Sequence, residues 1–171
     1  MNRYEPMIIV PGDLRNEHWP KSGQGLSGIL PGAVGQQRGP NILVDGDCEA
    51  ADASAWTAFR SATLSKQTTA PFEGARVLRV AHGGLTNPSA NQTVMTAGVT
   101  CRITGVARSD GTGTPTIYDG VGVVVWTGTN ATSWQAFDVT FVPTDTVIRF
   151  RASGVGAGDY VEWDDLYLSS T

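Results

Sequence analysis

Apolar and polar positions alternate in short runs over most of this chain, and the alternation begins at residue 41. Within 76–80, Leu78 and Val80 share one side, and Val77 and Arg79 the other. Phe137, Val139 and Phe141 share a side within 134–142, and in 147–152 Ile148 and Phe150 face opposite to Arg149 and Arg151. A period of two is that of a half-buried strand. Clusters of Gly, Pro, Asn and Asp punctuate the runs, as at 83–88, 109–111, 119–120, 128–130 and 154–158, where turns are expected. The first run is 42–44, entering a turn at Asp45-Gly46, and the last is 160–168. Eight or nine strands spaced this way predict an all-β fold, an antiparallel jelly-roll β-sandwich over residues 41–171.

Residues 1–40 follow no such period. Five prolines and seven glycines interrupt them, which forbids a long helix or a continuous ladder. Apolar anchors survive between these breaks, chiefly Tyr4, Ile8, Ile9, Trp19 and Leu30, whereas a solvated spacer would lack them. An extended Gly/Pro-rich N-terminal arm is expected, lying over its own sandwich or a neighbouring subunit. Gly23, Gly25 and Gly28 match a dinucleotide-binding spacing, but Pro31-Gly32 follows where the fingerprint needs a helix.

Composition narrows the function classes. Of 171 residues, 16% are charged and 21 are glycine, which suits a turn-rich β domain. A net charge of −4 argues against a nucleic-acid partner. No apolar run approaches the roughly 18 residues of a membrane span. The N-terminus lacks a basic stretch followed by an apolar core, so no secretory signal is expected. Cys48 and Cys101 are too few for a disulfide framework, and a bridge between them requires adjacent strands. His18 and His82 are the only histidines. No nucleophile elbow or metalloprotease helix is present, so the chain is read as non-enzymatic. Trp126 and Trp134 flank the 128–133 turn and are candidates for a glycan platform, since sugar rings stack on exposed aromatic faces.

The ordered set of motifs resembles the carbohydrate-binding modules of the family 4/9 type, which have a galactose-binding-domain-like β-sandwich. Residues 41–49, Asn-Ile-Leu-Val-Asp-Gly-Asp-Cys-Glu, match the opening motif, with Cys48 where those modules carry Phe. Trp56, the 74–80 run, Gln92 with Val94, and Trp134-x-x-Phe137-x-Val139-x-Phe141 follow in order. Trp163-Asp164-Asp165-Leu166-Tyr167-Leu168 matches the closing motif. The resemblance implies a structural calcium near Asp47, Glu49 and Asp164, the acids of the opening and closing motifs. Calcium takes six to eight oxygen ligands, although acids beside Asp45-Gly46 also serve as ordinary turn residues.

Stand-alone sandwiches of this resemblance with an adhesive arm occur in tailed-phage virions. The expectation is therefore a bacteriophage virion structural protein, a capsid decoration (cement) protein whose arm staples it to neighbouring capsid or other virion subunits, with homo-oligomers plausible. It would be made in the host cytoplasm and located in the virion. The alternative is a carbohydrate-binding module, or a tail or fibre component, that binds surface glycans.

Overall fold

The computed structural model describes residues 39–120 and 122–171. The expected arm, with Tyr4, Ile8, Ile9, Trp19 and Leu30, lies outside the described residues except for Gly39 and Pro40. Among the described residues there are ten strands: β1 (Thr57–Phe59), β2 (Thr63–Gln67), β3 (Val77–Ala81), β4 (Ser89–Thr93), β5 (Cys101–Ser109), β6 (Thr114–Asp119), β7 (Val123–Thr127), β8 (Gln135–Phe141), β9 (Val147–Ser153) and β10 (Tyr160–Ser170). They make two five-stranded sheets. A front sheet has the order β1-β4-β9-β6-β7, and a back sheet β2-β3-β10-β5-β8. Every pairing is antiparallel. The all-β antiparallel sandwich expected from the alternation is the fold observed.

The core lies between the sheets and is aromatic at its centre. Trp163 on β10 is fully buried, with the rings of Phe150, Phe137 and Trp126 at 5.2, 6.1 and 6.2 Å. Trp56 meets Phe150 edge-on at 5.5 Å. Around them Leu78, Ile103, Ile117, Ile148 and Leu168 are fully buried, each contributing roughly 1.5–3 kcal/mol by leaving water. A bulge in β10 between Asp164 and Tyr167 resets its parity. The extra residue, Asp165, takes a positive φ of 48°. Both Trp163 and Leu166 thereby point inward although they are three residues apart, a shift that such insertions produce.

The opening stretch departs from expectation. Residues 42–44 form no strand, and 44–47 is a turn. Side chains replace the ladder there. Asn41 donates to the Leu166 carbonyl and accepts from Leu43 N and Leu168 N. Gln92 reaches from β4 to bond both the N–H and the C=O of Val44. Asp45 and Cys48 have φ of 56° and 60°, incompatible with an extended chain. Asp45, Asp47 and Glu49 therefore do not line one side, as an extended chain would have them do. The stretch is a plug, stitched to β10 by Ile42 N to Leu168 O and Leu166 N to Gly46 O, each 2.8 Å.

Candidate functional site

Strand register places two polar rows on the outer face of the front sheet. Phe59, Ser89, Arg151 and Thr116 lie side by side across β1, β4, β9 and β6, and Thr57, Asn91, Arg149 and Tyr118 form the next row. Their alternate neighbours Ala90, Phe150 and Ile117 fill the core, so parity alone turns this set outward. A recess of about 90 Å³ opens there, lined by Phe59, Arg60, Asn87, Ser89, Tyr118, Gly120, Arg149 and Arg151.

The groups in this recess are held before any ligand arrives. Arg149 lies over the Phe59 ring at 4.3 Å and donates from Nε to the Gly120 carbonyl at 2.6 Å. With the Asn91 amide turned to satisfy its neighbours, its oxygen accepts from Arg149 Nη1 at 2.8 Å while its nitrogen donates to Ser89 Oγ and the Ala90 carbonyl. Arg151 lies over the Tyr118 ring at 4.5 Å. Gly120 is left-handed, with φ of 57°, and a Cβ there would collide with the Asp145 carboxylate. That requirement fixes how the β6–β7 turn closes the end of the recess.

The outer face of the back sheet is chemically different. Glu162, 1% exposed, takes Arg79 on Oε1 and Arg108 on Oε2. Arg102 pairs with Asp138. Arg108 covers the Trp134 ring at 4.4 Å, and Phe72 meets the same ring edge-on.

The glycan platform expected at Trp126 and Trp134 is not assembled. Trp126 pairs with inward-facing Ile117 in the register, and its ring packs on Phe137 at 4.7 Å, so its face belongs to the core. Trp134 stands on the outer side of the back sheet with Arg108 and Phe72, so the two tryptophans do not share one surface.

The acids of the opening and closing motifs do meet. Asp47, Glu49 and Asp164 line one cleft with Glu73, Gly74 and Asp165. Backbone amides aim at them, however. Glu49 Oε1 accepts from Ala75 N and Arg76 N. Asp164 accepts from Phe72 N, Glu73 N and Asp165 N. Among the described residues no three His, Cys, Asp or Glu side chains are arranged to hold a metal ion. Glu49 Oε1 and the Asp164 carboxylate are thus already engaged by backbone N–H groups, which weighs against a calcium shared by Asp47, Glu49 and Asp164. The neighbouring cation is the protein's own. Lys66 Nζ sits 2.5 Å from Asp45 Oδ2 and 2.8 Å from the Cys48 carbonyl, with both charged side chains almost fully buried.

Both cysteines are free thiols. Burial pushes Cys48 up to about 12, so it stays protonated and inert at neutral pH.

No protein-family model matches the chain, and no curated protein sequence does. Solved structures do match in fold. A β-1,4-galactotriose complex of the module TmCBM61 aligns with a TM-score of 0.55 at 15% identity, covering 78% of this chain and 100% of that one. The CBM22-1 xylan-binding domain of Paenibacillus barcinonensis Xyn10C gives 0.56 at 16%, covering 78% and 96%. The enzymatically active domain of tailspike protein 4 from bacteriophage CBA120 gives 0.56 at 14%, covering 77% of this chain. The chain spans about a fifth (21%) of that tailspike chain. The fold is a carbohydrate-binding-module-like β-sandwich.

Within that sandwich, the outward direction of Arg149 and Arg151 follows from the alternation of β9. Their meeting with Tyr118 does not. It depends on β4, β9 and β6 lying side by side, strands separated by up to about sixty residues, and no local signal encodes that order.

Proposed function

We propose that the sandwich is a non-catalytic glycan-binding domain that takes its ligand on the outer face of the front sheet. The carrying observation is the recess itself, where two aromatic side chains and a set of pre-ordered hydrogen-bonding groups converge on one concave surface. Sugar sites combine these features, an apolar face for the ring and fixed polar groups for its hydroxyls. The likeness to sandwiches described as galactotriose-bound and xylan-binding supports this reading. Among the described residues the recess lining holds no carboxylate and no histidine, which favours binding over the acid-pair chemistry of a glycosidase.

The test is a glycan array followed by titration of the hits, with Tyr118→Ala and Phe59→Ala as variants. Loss of an aromatic contact at the centre of a site weakens binding by roughly tenfold or more. Binding that survives both substitutions unchanged would move the site elsewhere.

A virion setting is the second reading, supported by the tailspike likeness, and it makes the domain a tail or fibre component using the same face. Capsid decoration has less support. It rests on the arm anchors Tyr4, Ile8, Ile9, Trp19 and Leu30, which lie outside the described residues. Deleting residues 2–38 separates the two: a stapling role is lost with the arm, and a binding role on the front sheet is kept.

A further inference from the structure

We propose that the glycan taken by the front sheet is acidic, a polysaccharide carrying carboxylate groups, with Arg151 and Arg149 as the residues that select it. The inference rests on the glycan-binding reading and names its ligand class.

Charge distribution is the first support. The chain has 16 acidic residues against 12 basic ones, yet among the described residues the recess is lined by Arg60, Arg149 and Arg151 and by no acid. The back sheet shows how this protein treats an arginine that has only a structural task. Arg79, Arg102 and Arg108 each pair with a carboxylate, and Arg79 and Arg108 also stack on aromatic rings. Arg149 and Arg151 stack in the same way over Phe59 and Tyr118. Among the described residues, though, neither pairs with a carboxylate.

Preorganisation is the second support. A guanidinium held over a ring has lost much of its rotamer freedom, so less is lost when it binds. Arg149 is further fixed by Gly120 and by the Asn91 amide. The planar fork of Arg151 has no hydrogen-bond acceptor among the described residues. A half-buried cation without a counter-charge is costly, and a carboxylate on the ligand relieves that cost with a bidentate, charge-assisted pair. Tyr118 and Phe59 would supply apolar surface for the sugar ring beside it. A neutral glycan could use the rings but would leave both cations uncompensated.

The experiment measures binding of the full chain to polygalacturonate, hyaluronan and alginate, to the carboxyl-reduced form of each, and to polyglutamate as a polyanion without sugar. At least one native polymer is expected to bind, with its carboxyl-reduced form weaker by roughly tenfold to a hundredfold, the worth of a hydrogen-bonded charge pair. Arg151→Gln should remove most of that preference, and Arg151→Lys should keep more of it than Arg151→Gln but less than the native chain, because an ammonium lacks the fork. Tyr118→Ala should weaken both forms. Thermal melts confirm that each variant is folded, and Arg60→Gln at the exposed rim provides a substitution independent of the stacked pair, with a smaller loss for the acidic form alone. Equal affinity for native and reduced polymers, or an unchanged preference in folded Arg151→Gln, overturns the acidic class and leaves glycan binding standing. Equal affinity for polyglutamate overturns it as well, since charge alone would then account for binding. Binding to no polymer of either kind, with no hit on a neutral glycan array, overturns this inference together with the reading it rests on.

Discussion

Lys66 belongs to an edge strand whose parity sends it inward beside Leu64 and opposite Leu78. Its ammonium ends against Asp45 in the opening plug, and the two side chains are 3% and 5% exposed. Asp45 also accepts from Trp56 Nε1 at 3.1 Å and from Ala50 N at 2.9 Å, so one carboxylate ties the plug, the β1 entry and β2 together. Asp45→Asn keeps the shape and removes the charge, leaving a buried ammonium with a neutral partner. Breaking a buried pair from one side costs about 3–5 kcal/mol, whereas an exposed pair is worth about 1 kcal/mol or less. At about 2–4 °C per kcal/mol for a domain of this size, the melting temperature should fall by roughly 6–20 °C. Lys66→Met should cost a similar amount. The double variant Asp45→Asn/Lys66→Met should recover much of the loss, since neutral replacements of a buried pair are often tolerated. Urea denaturation of the four proteins, analysed as a double-mutant cycle, gives the coupling directly. A coupling below about 1 kcal/mol would place the pair in effectively open solvent and refute the reasoning.

Three further outcomes follow from the same region. Gly46→Ala should destabilise by about 1–3 kcal/mol by overpacking, because a Cβ there would run into the Leu166 carbonyl oxygen; an unchanged urea midpoint would contradict the plug's close seat on β10. Burial pushes the Asp164 carboxyl above its ordinary value of 3.8, against the pull of the Glu73, Asp165 and Phe72 amides. The folded state therefore keeps this proton to higher pH than the unfolded chain. Stability relative to Asp164→Asn should fall as pH rises from about 3.8 through the folded value and level off above it; a relative stability that climbs with pH would mean the amides outweigh burial. Calcium added in millimolar excess should leave the melting temperature unchanged, because amides already engage Glu49 and Asp164; a clear rise that EDTA reverses would restore calcium to Asp47, Glu49 and Asp164.

Much of the sandwich could be read from alternation, because a strand with one face in the core must repeat every two residues. Ile148 and Phe150 against Arg149 and Arg151 showed the faces of β9 directly. The opening stretch misled because Ile42, Leu43 and Val44 have strand-type side chains, while the bonds that shape them come from Asn41 and from Gln92, some fifty residues away. Trp126 misled for a related reason. Its neighbouring turn suggested exposure, but its pairing with Ile117 turned it inward. Lys66 shares parity with Leu64, and a charged residue on an apolar face was itself a sign of the buried pair. The candidate site was the least legible part. Phe59, Asn91, Tyr118, Arg149 and Arg151 are scattered along the chain, and only the order of the front sheet gathers them.

Glycan binding on this gathered face can be measured outright. Its most direct test is to titrate the full chain with the best-binding glycan found on an array and to repeat the titration with folded Tyr118→Ala. Saturable binding is expected, falling by roughly tenfold or more in the variant. Undiminished binding by the variant, or a chain that binds no glycan at all, would contradict glycan binding on this face.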